Sequence, residues 1–191
     1  MKPIKAKSGS VRRTKAEVVV TDSAGHRAAV VPLPEPKAPR VHPTRILVPV
    51  DFSSASGKAV AYADAFAATF GASVVLIHVV EPLVLPSEFG YVPAPSPEEE
   101  MRHLAAVKTR LQSVAADLDS AKRSSVEVRI GRPWQEITAA AQDLGADLLV
   151  ITTHGRTGIK HVLMGSVAEK IVRHAGCPVL VVRPEEKDFV G

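Results

Sequence analysis

Two short stretches of this 191-residue chain hold the residue types that handle a charged, hydroxyl-bearing ligand. One is Val50-Asp51-Phe52-Ser53-Ser54, where a carboxylate directly follows an apolar run. The other runs from Thr152-Thr153-His154-Gly155-Arg156-Thr157-Gly158 to Gly165-Ser166-Val167-Ala168-Glu169. Gly155 and Gly158 let the backbone turn tightly and approach a ligand without side-chain obstruction. The second stretch ends by opening a helix, with Ser166 as the expected N-cap and Glu169 as its capping-box partner. A helix N-terminus offers free N–H groups and partial positive charge, which suits phosphate. Arg156 and Lys160 add charge nearby. Asp51 has two readings that can hold in different ligand states: a cap for the following helix, or an acceptor for ribose hydroxyls. Singly, each feature also serves as a plain turn or cap; their convergence is what points to a ligand. Neither a G-x-x-x-x-G-K-[ST] loop nor a G-x-G-x-x-G fingerprint is present.

The surrounding pattern says which elements hold these stretches. Ile46 to Val50 is a short apolar run that reads as a buried strand ending at Asp51. Residues 54–70 are Ala-rich with helical spacing, and Gly71 closes that helix. Ser73 to Val80 is a second strand. Pro82, Pro86, Pro93 and Pro95 then mark a long loop. Ser96-Pro97-Glu98-Glu99 is a capping box with proline at the first helical position, and the helix it opens should run to about Asp119. Further on come a strand over Val126 to Ile130, a helix from Pro133 to near Gly145, and a strand over Asp147 to Thr152. A helix over about Gly165 to His174 and a strand over Pro178 to Val182 complete the chain.

Strands that are apolar without alternation are covered on both faces, so the order implies a doubly wound α/β fold. Right-handed crossovers give a five-stranded parallel sheet of order 3-2-1-4-5 with helices on both faces. In such sheets ligands bind at the carboxyl ends of the strands where the winding reverses, here between the first and fourth strands. The two chemical stretches begin at those two ends.

Composition bounds the rest. Aromatic residues make up only 4% of the chain, and the apolar mass is Val, Ala, Leu and Ile, which disfavours an all-β sandwich. Cys177 is the single cysteine, so no internal disulfide forms. No run is long enough to span a bilayer, and no apolar segment follows the basic N-terminus, so a cytoplasmic protein is expected. Residues 1–40 hold nine Lys/Arg against three Asp/Glu, leaving fifteen against seventeen over 41–191. The basic character therefore belongs to a Pro-containing tail, 1–40, expected to be disordered apart from a β-prone pair, Glu17 to Thr21 and His26 to Val31, about a turn at Asp22 to Gly25. The tail lacks interleaved aromatics, and nucleic-acid or membrane contact is not expected of it. His154, His161 and His174 lack metal-ligand spacing, so no metal site is proposed. Trp134 is expected to pack its helix onto the sheet, and Cys177 to be a small core residue.

The run Ile46-Leu47-Val48-Pro49-Val50-Asp51-Phe52-Ser53, the strand Leu76-Ile77-His78-Val79, the glycine stretch and Cys177-Pro178-Val179-Leu180-Val181-Val182 together resemble the universal stress protein family over roughly residues 44–184. The nucleotide-binding branch of that family carries G-x-x-G, nine residues, then G-[ST]. Gly155, the nine-residue spacer, Gly165 and Ser166 match it, whereas the first glycine position is Thr152. The resemblance implies ATP, with or without Mg2+, as ligand. Asp51 would then hold the ribose, Val79 would pair its backbone with the adenine edge, and Pro49 and Val50 would line the base pocket. Residues 152–158, with Gly165, Ser166 and Val167, would cradle the phosphates. The resemblance also implies a homodimer through Pro178 to Arg183, and a regulatory role in stress response with an unknown protein partner. Two other readings stand beside it: a nucleotide-free dimeric module of the same fold, and a slow ATPase for which only Asp51 and His154 are candidate groups.

Overall fold

The computed structural model describes residues 17–21, 23–32, 42–82, 95–153, 164–183 and 190. The chain divides into two compact units, Met1–Val41 and His42–Gly191. The first contains a hairpin of β1 (Glu17–Thr21) and β2 (Arg27–Pro32), paired antiparallel from Glu17↔Pro32 to Val20↔Ala29, with a register shift before Thr21↔Arg27. Gly25 at φ +85° takes the left-handed turn conformation that the connection needs.

The second unit runs β3 (Arg45–Pro49), α1 (Ser54–Phe70), β4 (Ser73–Val80), α2 (Pro97–Ala116), β5 (Ser124–Ile130), α3 (Pro133–Asp143), β6 (Leu148–Thr152), α4 (Ser166–His174) and β7 (Val179–Val182). Its five strands are all parallel in the order β5-β4-β3-β6-β7, which is the expected 3-2-1-4-5. Ile46, Leu47 and Val48 are fully buried because β3 is covered twice. Ile46 and Val48 pack with Ala59, Ala63 and Ala67 of α1 and Leu111 of α2. Leu47 points the other way, onto Ile137, Ala140 and Ala141 of α3 and Ala168 and Ile171 of α4. Successive side chains alternate faces, so a strand between two helix layers must be apolar throughout.

Local signals set the helix ends. Ser53 Oγ accepts the Ser56 N–H at 3.2 Å, and Gly71 ends α1 at φ +72°. Ser96 and Glu99 form the reciprocal capping box of α2, holding the Glu99 carboxyl below its ordinary pKa chiefly through the Ser96 N–H. That helix stops at Ala116, short of the expected Asp119, because the Asp64 carboxylate of α1 draws the amides of Asp119 and Ser120 into a turn at 2.8 and 2.9 Å. Trp134 is packed against the α3/α4 face and meets the His174 ring at 5.1 Å, so it joins two helices as well as helix and sheet. Burial, then the nearby Asp147 charge, pushes the Cys177 thiol up, which keeps it protonated at neutral pH. Among the described residues no helix is long and apolar enough to cross a membrane.

At the foot of the sheet Asp147 joins β6 to β3. Its carboxylate accepts from Thr44 N at 2.8 Å, Thr44 Oγ1 at 2.7 Å and Arg45 N at 3.1 Å. Burial raises this carboxyl, but the hydrogen bonds from Thr44 and Arg45 outweigh it, so its pKa lies below the ordinary value. A depressed folded pKa contributes stability above the unfolded value of about 3.9 that is lost as pH falls through the folded one. Asp147→Ala should therefore be less stable than the unaltered chain by a constant amount from pH 5 to 8. The difference should shrink as pH drops below about 4, as urea unfolding would read.

Candidate functional site

Pro49 decides where β3 and β6 part. The Val50 N–H bonds the Ile77 carbonyl of β4 at 2.8 Å, so the alternation of a parallel ladder turns residue 49 towards β6. Proline has no N–H to give there. The β3–β6 register accordingly holds only Ile46↔Leu148 and Leu47↔Leu149, whereas β4–β5 holds seven pairs. Beyond Leu149 the two central strands open into a cavity of about 400 Å3 at their carboxyl ends. That size falls within the roughly 300–1,000 Å3 typical of small-molecule sites.

Of the fourteen residues named from sequence, nine line this cavity: Pro49, Val50 and Asp51 at and just beyond the end of β3, Val79 near the end of β4, Thr152 and Thr153 at and just beyond the end of β6, and Gly165, Ser166 and Val167 at the start of α4. His154, Gly155, Arg156, Thr157 and Gly158 lie outside the described residues. Sequence reasoning missed the opposite wall. Pro133 and Ile137 reach the cavity because α3 starts at the same end of the sheet, a position its own Pro133 start signal could have indicated. It also missed His78 and Glu81, from the end of β4, and Ser56 of α1.

Two local expectations are corrected. Ser166 is not the N-cap of α4: Gly165 holds that place at φ −67°, ψ 151°, no side chain caps the helix, and Ser166 is its first residue. Glu169 instead pairs with Arg173 at 2.8 Å one turn on. The reason is packing, because Gly165 N donates to the Thr153 carbonyl at 2.7 Å and draws the helix start one residue back. Nor does Asp51 cap α1. Ser53 does, while Asp51 Oδ1 accepts from Ser53 N at 3.0 Å and Ser53 Oγ at 2.6 Å. The carboxylate is thus oriented by the cap residue and stays in the cavity lining.

Without a side-chain cap, the first amides of α4 carry the positive end of the helix dipole at the cavity wall. Thr152 lies within β6 in register with Val182, a conformation that β-branched residues favour. Its position therefore makes no demand for positive φ. On the other side, Val79 shares the edge of β4 with Ile77, and β3 has already ended opposite it. Its N–H and C=O therefore face the crevice rather than a neighbouring strand. The turn that carries Asp51 is tight: Phe52, at φ +63°, is the one non-glycine residue with positive φ among those described, a conformation costing about 1–2 kcal/mol. The cavity therefore offers a carboxylate to hydroxyls, an unpaired strand edge to a flat heterocycle, and a helix N-terminus to an anion.

Comparison with known proteins agrees with this architecture. The model of the universal stress protein family matches residues 43–183. Universal stress protein MJ0531 of Methanocaldococcus jannaschii is 35% identical over 149 residues, covering 75% of this chain and 84% of that protein. The solved structure of MJ0577, from the same organism, superposes with a TM-score of 0.63 at 28% identity, over 75% of this chain and 98% of the other. A universal stress protein solved in complex with cAMP superposes at 0.51 and 22% identity, over 74% and 98% of the two chains, a likeness of fold.

Gly165 is favoured by space rather than by φ, since a Cβ there would sit 3.1 Å from the Thr153 carbonyl oxygen, which would have to give by a few tenths of an ångström. Gly165→Ala should destabilise the chain by about 1 kcal/mol in urea unfolding if the Thr153 carbonyl holds its place. An unchanged midpoint would mean that the Thr153 carbonyl yields without cost.

Proposed function

The chain belongs to the universal stress protein family, and from that premise we propose that it binds an adenine nucleotide, ATP in the first instance, as a regulatory protein of a stress response. The observation that carries the reading is the meeting of Asp51 and the uncapped N-terminus of α4 on one cavity, where β3 and β6 part. Asp51 accepts the ribose hydroxyls, and the cavity-facing backbone of Val79 pairs with the adenine edge. The amides of Ser166 and Val167, with Thr152, Thr153 and the stretch His154 to Gly158, take the phosphates and any Mg2+ bound to them. A cAMP complex of the same fold supports the nucleotide class at the level of architecture alone. No catalytic role is assigned. Among the described residues two carboxylates, Asp51 and Glu81, line the cavity.

A homodimer through the last strand belongs to the same proposal. The two edges of the sheet differ in kind. On β5 Arg129 is held by Glu127 at 3.2 Å and Asp143 at 2.9 Å, so that edge carries charges that discourage pairing. On β7 the residues are Val179, Leu180, Val181 and Val182. The Pro178 carbonyl accepts from Leu149 of β6 and the Val182 carbonyl from Thr153 just beyond it, so Val179 and Val181 turn their backbone groups to the open side. An apolar open edge invites a second copy. The same edge favours the nucleotide-free dimeric module if the cavity proves unable to hold ATP.

Calorimetric titration with ATP and Mg2+, after mass spectrometry for carried nucleotide, tests the first claim. Saturable binding is expected. Asp51→Ala should weaken it by about 10- to 100-fold, the loss of a charge-assisted hydrogen bond. No binding and no carried nucleotide would leave the dimeric module as the function. Light scattering tests the second claim: a dimer is expected, and Val181→Pro, which removes an outward N–H without breaking the ladder to β6, should give a monomer. A monomeric unaltered chain at high micromolar concentration would dispose of the dimer.

A further inference from the structure

The turn that presents Asp51 is held from both sides by one residue of β4. His78 Nδ1 lies 2.6 Å from the Val50 carbonyl oxygen. A carbonyl can only accept, so Nδ1 carries the proton and donates. The same imidazole meets the Phe52 ring at a centroid distance of 4.8 Å and an interplanar angle of 34°. Val50 and Phe52 are the two neighbours of Asp51. Phe52, moreover, is the residue strained into positive φ, so its backbone stays there only if its side chain is held. That hold is completed from α2, where the guanidinium carbon of Arg110 lies over the Phe52 ring, 4.0 Å from its centroid. Arg110 is not part of the lining of the cavity that contains Asp51.

We infer that His78, Phe52 and Arg110 are positioning residues for Asp51, a stacked clamp through which helix α2 sets the affinity for ligand hydroxyls without touching the ligand. The inference rests on the reading of Asp51 as the acceptor for ribose hydroxyls. Its physical content is a coupling between a strained peptide and a stack. While Arg110 and His78 fix the ring, φ of Phe52 stays positive, the Ser53 N–H and Oγ reach Asp51 Oδ1, and the carboxylate points into the cavity. When the stack is removed, the turn relaxes towards negative φ and the carboxylate moves with it. A glycine at position 52 takes positive φ without strain but supplies no ring. It therefore separates the backbone contribution from that of the stack.

The test uses the full-length chain with Arg110→Ala, Arg110→Lys and Phe52→Gly. Each is titrated with Mg2+-ATP and with Mg2+-2′,3′-dideoxy-ATP, which lacks the hydroxyls. Arg110→Ala should weaken ATP binding by about twofold to fivefold, the range of one exposed cation–π contact, and leave the dideoxy nucleotide unchanged. Arg110→Lys should recover part of the loss, and Phe52→Gly, which takes positive φ without the stack, should keep more ATP affinity than Arg110→Ala while unfolding at a lower urea concentration, because the Phe52 ring also packs against the core. Equal weakening for both nucleotides, or none, overturns the clamp. Equal affinity of the unaltered chain for the two nucleotides overturns the role of Asp51 that the clamp serves. If the unaltered chain binds neither, the nucleotide reading fails by itself, and amide hydrogen exchange still judges the clamp. Exchange at Ser53 and Ser56, whose N–H groups bond Asp51 and Ser53, should quicken in Arg110→Ala while Leu47 and Leu149 keep their rates. Unchanged exchange at Ser53 rejects the inference.

Discussion

The structure turns on how β3 and β6 are joined at one end and separated at the other. Asp147 draws Thr44 and Arg45 onto the foot of β6 with three hydrogen bonds, and Arg45 reaches the Leu144 carbonyl with its guanidinium. Two registered pairs follow, and then Pro49 ends the ladder. The connections leave these strands in opposite directions, β3 through α1 to β4 and β6 through α4 to β7. No crossover helix can lie above the gap between strands whose crossovers diverge. The cavity is thus a consequence of winding, and Asp147 and Pro49 determine at which end of the two strands it opens.

What surrounds that gap must be rigid for the carboxylate and the helix terminus to face each other. The central strand supplies the rigidity through its two buried faces, one against α1 and α2 and the other against α3 and α4. Three of the six buried residues of α1 are alanine, which lets its backbone approach β3. Gly165 does the same on the other wall, where its lack of a Cβ lets the start of α4 close onto the Thr153 carbonyl. In both places a small residue sets the distance between backbones.

Strain is confined to one described non-glycine residue, Phe52, and that residue adjoins Asp51 on the cavity wall. A left-handed phenylalanine costs free energy unless its ring gains contacts unavailable in the relaxed turn. Here the ring gains His78 and Arg110, from two different elements. Local strain and long-range packing are therefore parts of one arrangement, and neither explains the turn without the other.

Element order, the parallel doubly wound sheet and the two strand ends at the switch point follow from the residues read in order. Unbroken apolar runs such as Ile46-Leu47-Val48 can be satisfied only between two helix layers, and caps such as Ser96-Pro97-Glu98-Glu99 act within one turn of chain, so both are legible without coordinates. Asp51, Gly165 and Ser166 were legible for the same reason: topology sends strand ends to the switch point whatever the side chains do. Tertiary structure alone decided that Gly165, not Ser166, caps α4, that α2 stops at Ala116, and that His78, Pro133 and Arg110 belong around or behind the site. Each of these depends on a partner distant in the chain, Thr153 for Gly165, Asp64 for the end of α2, Phe52 for Arg110. No local propensity encodes a contact whose other half is brought up by a different element.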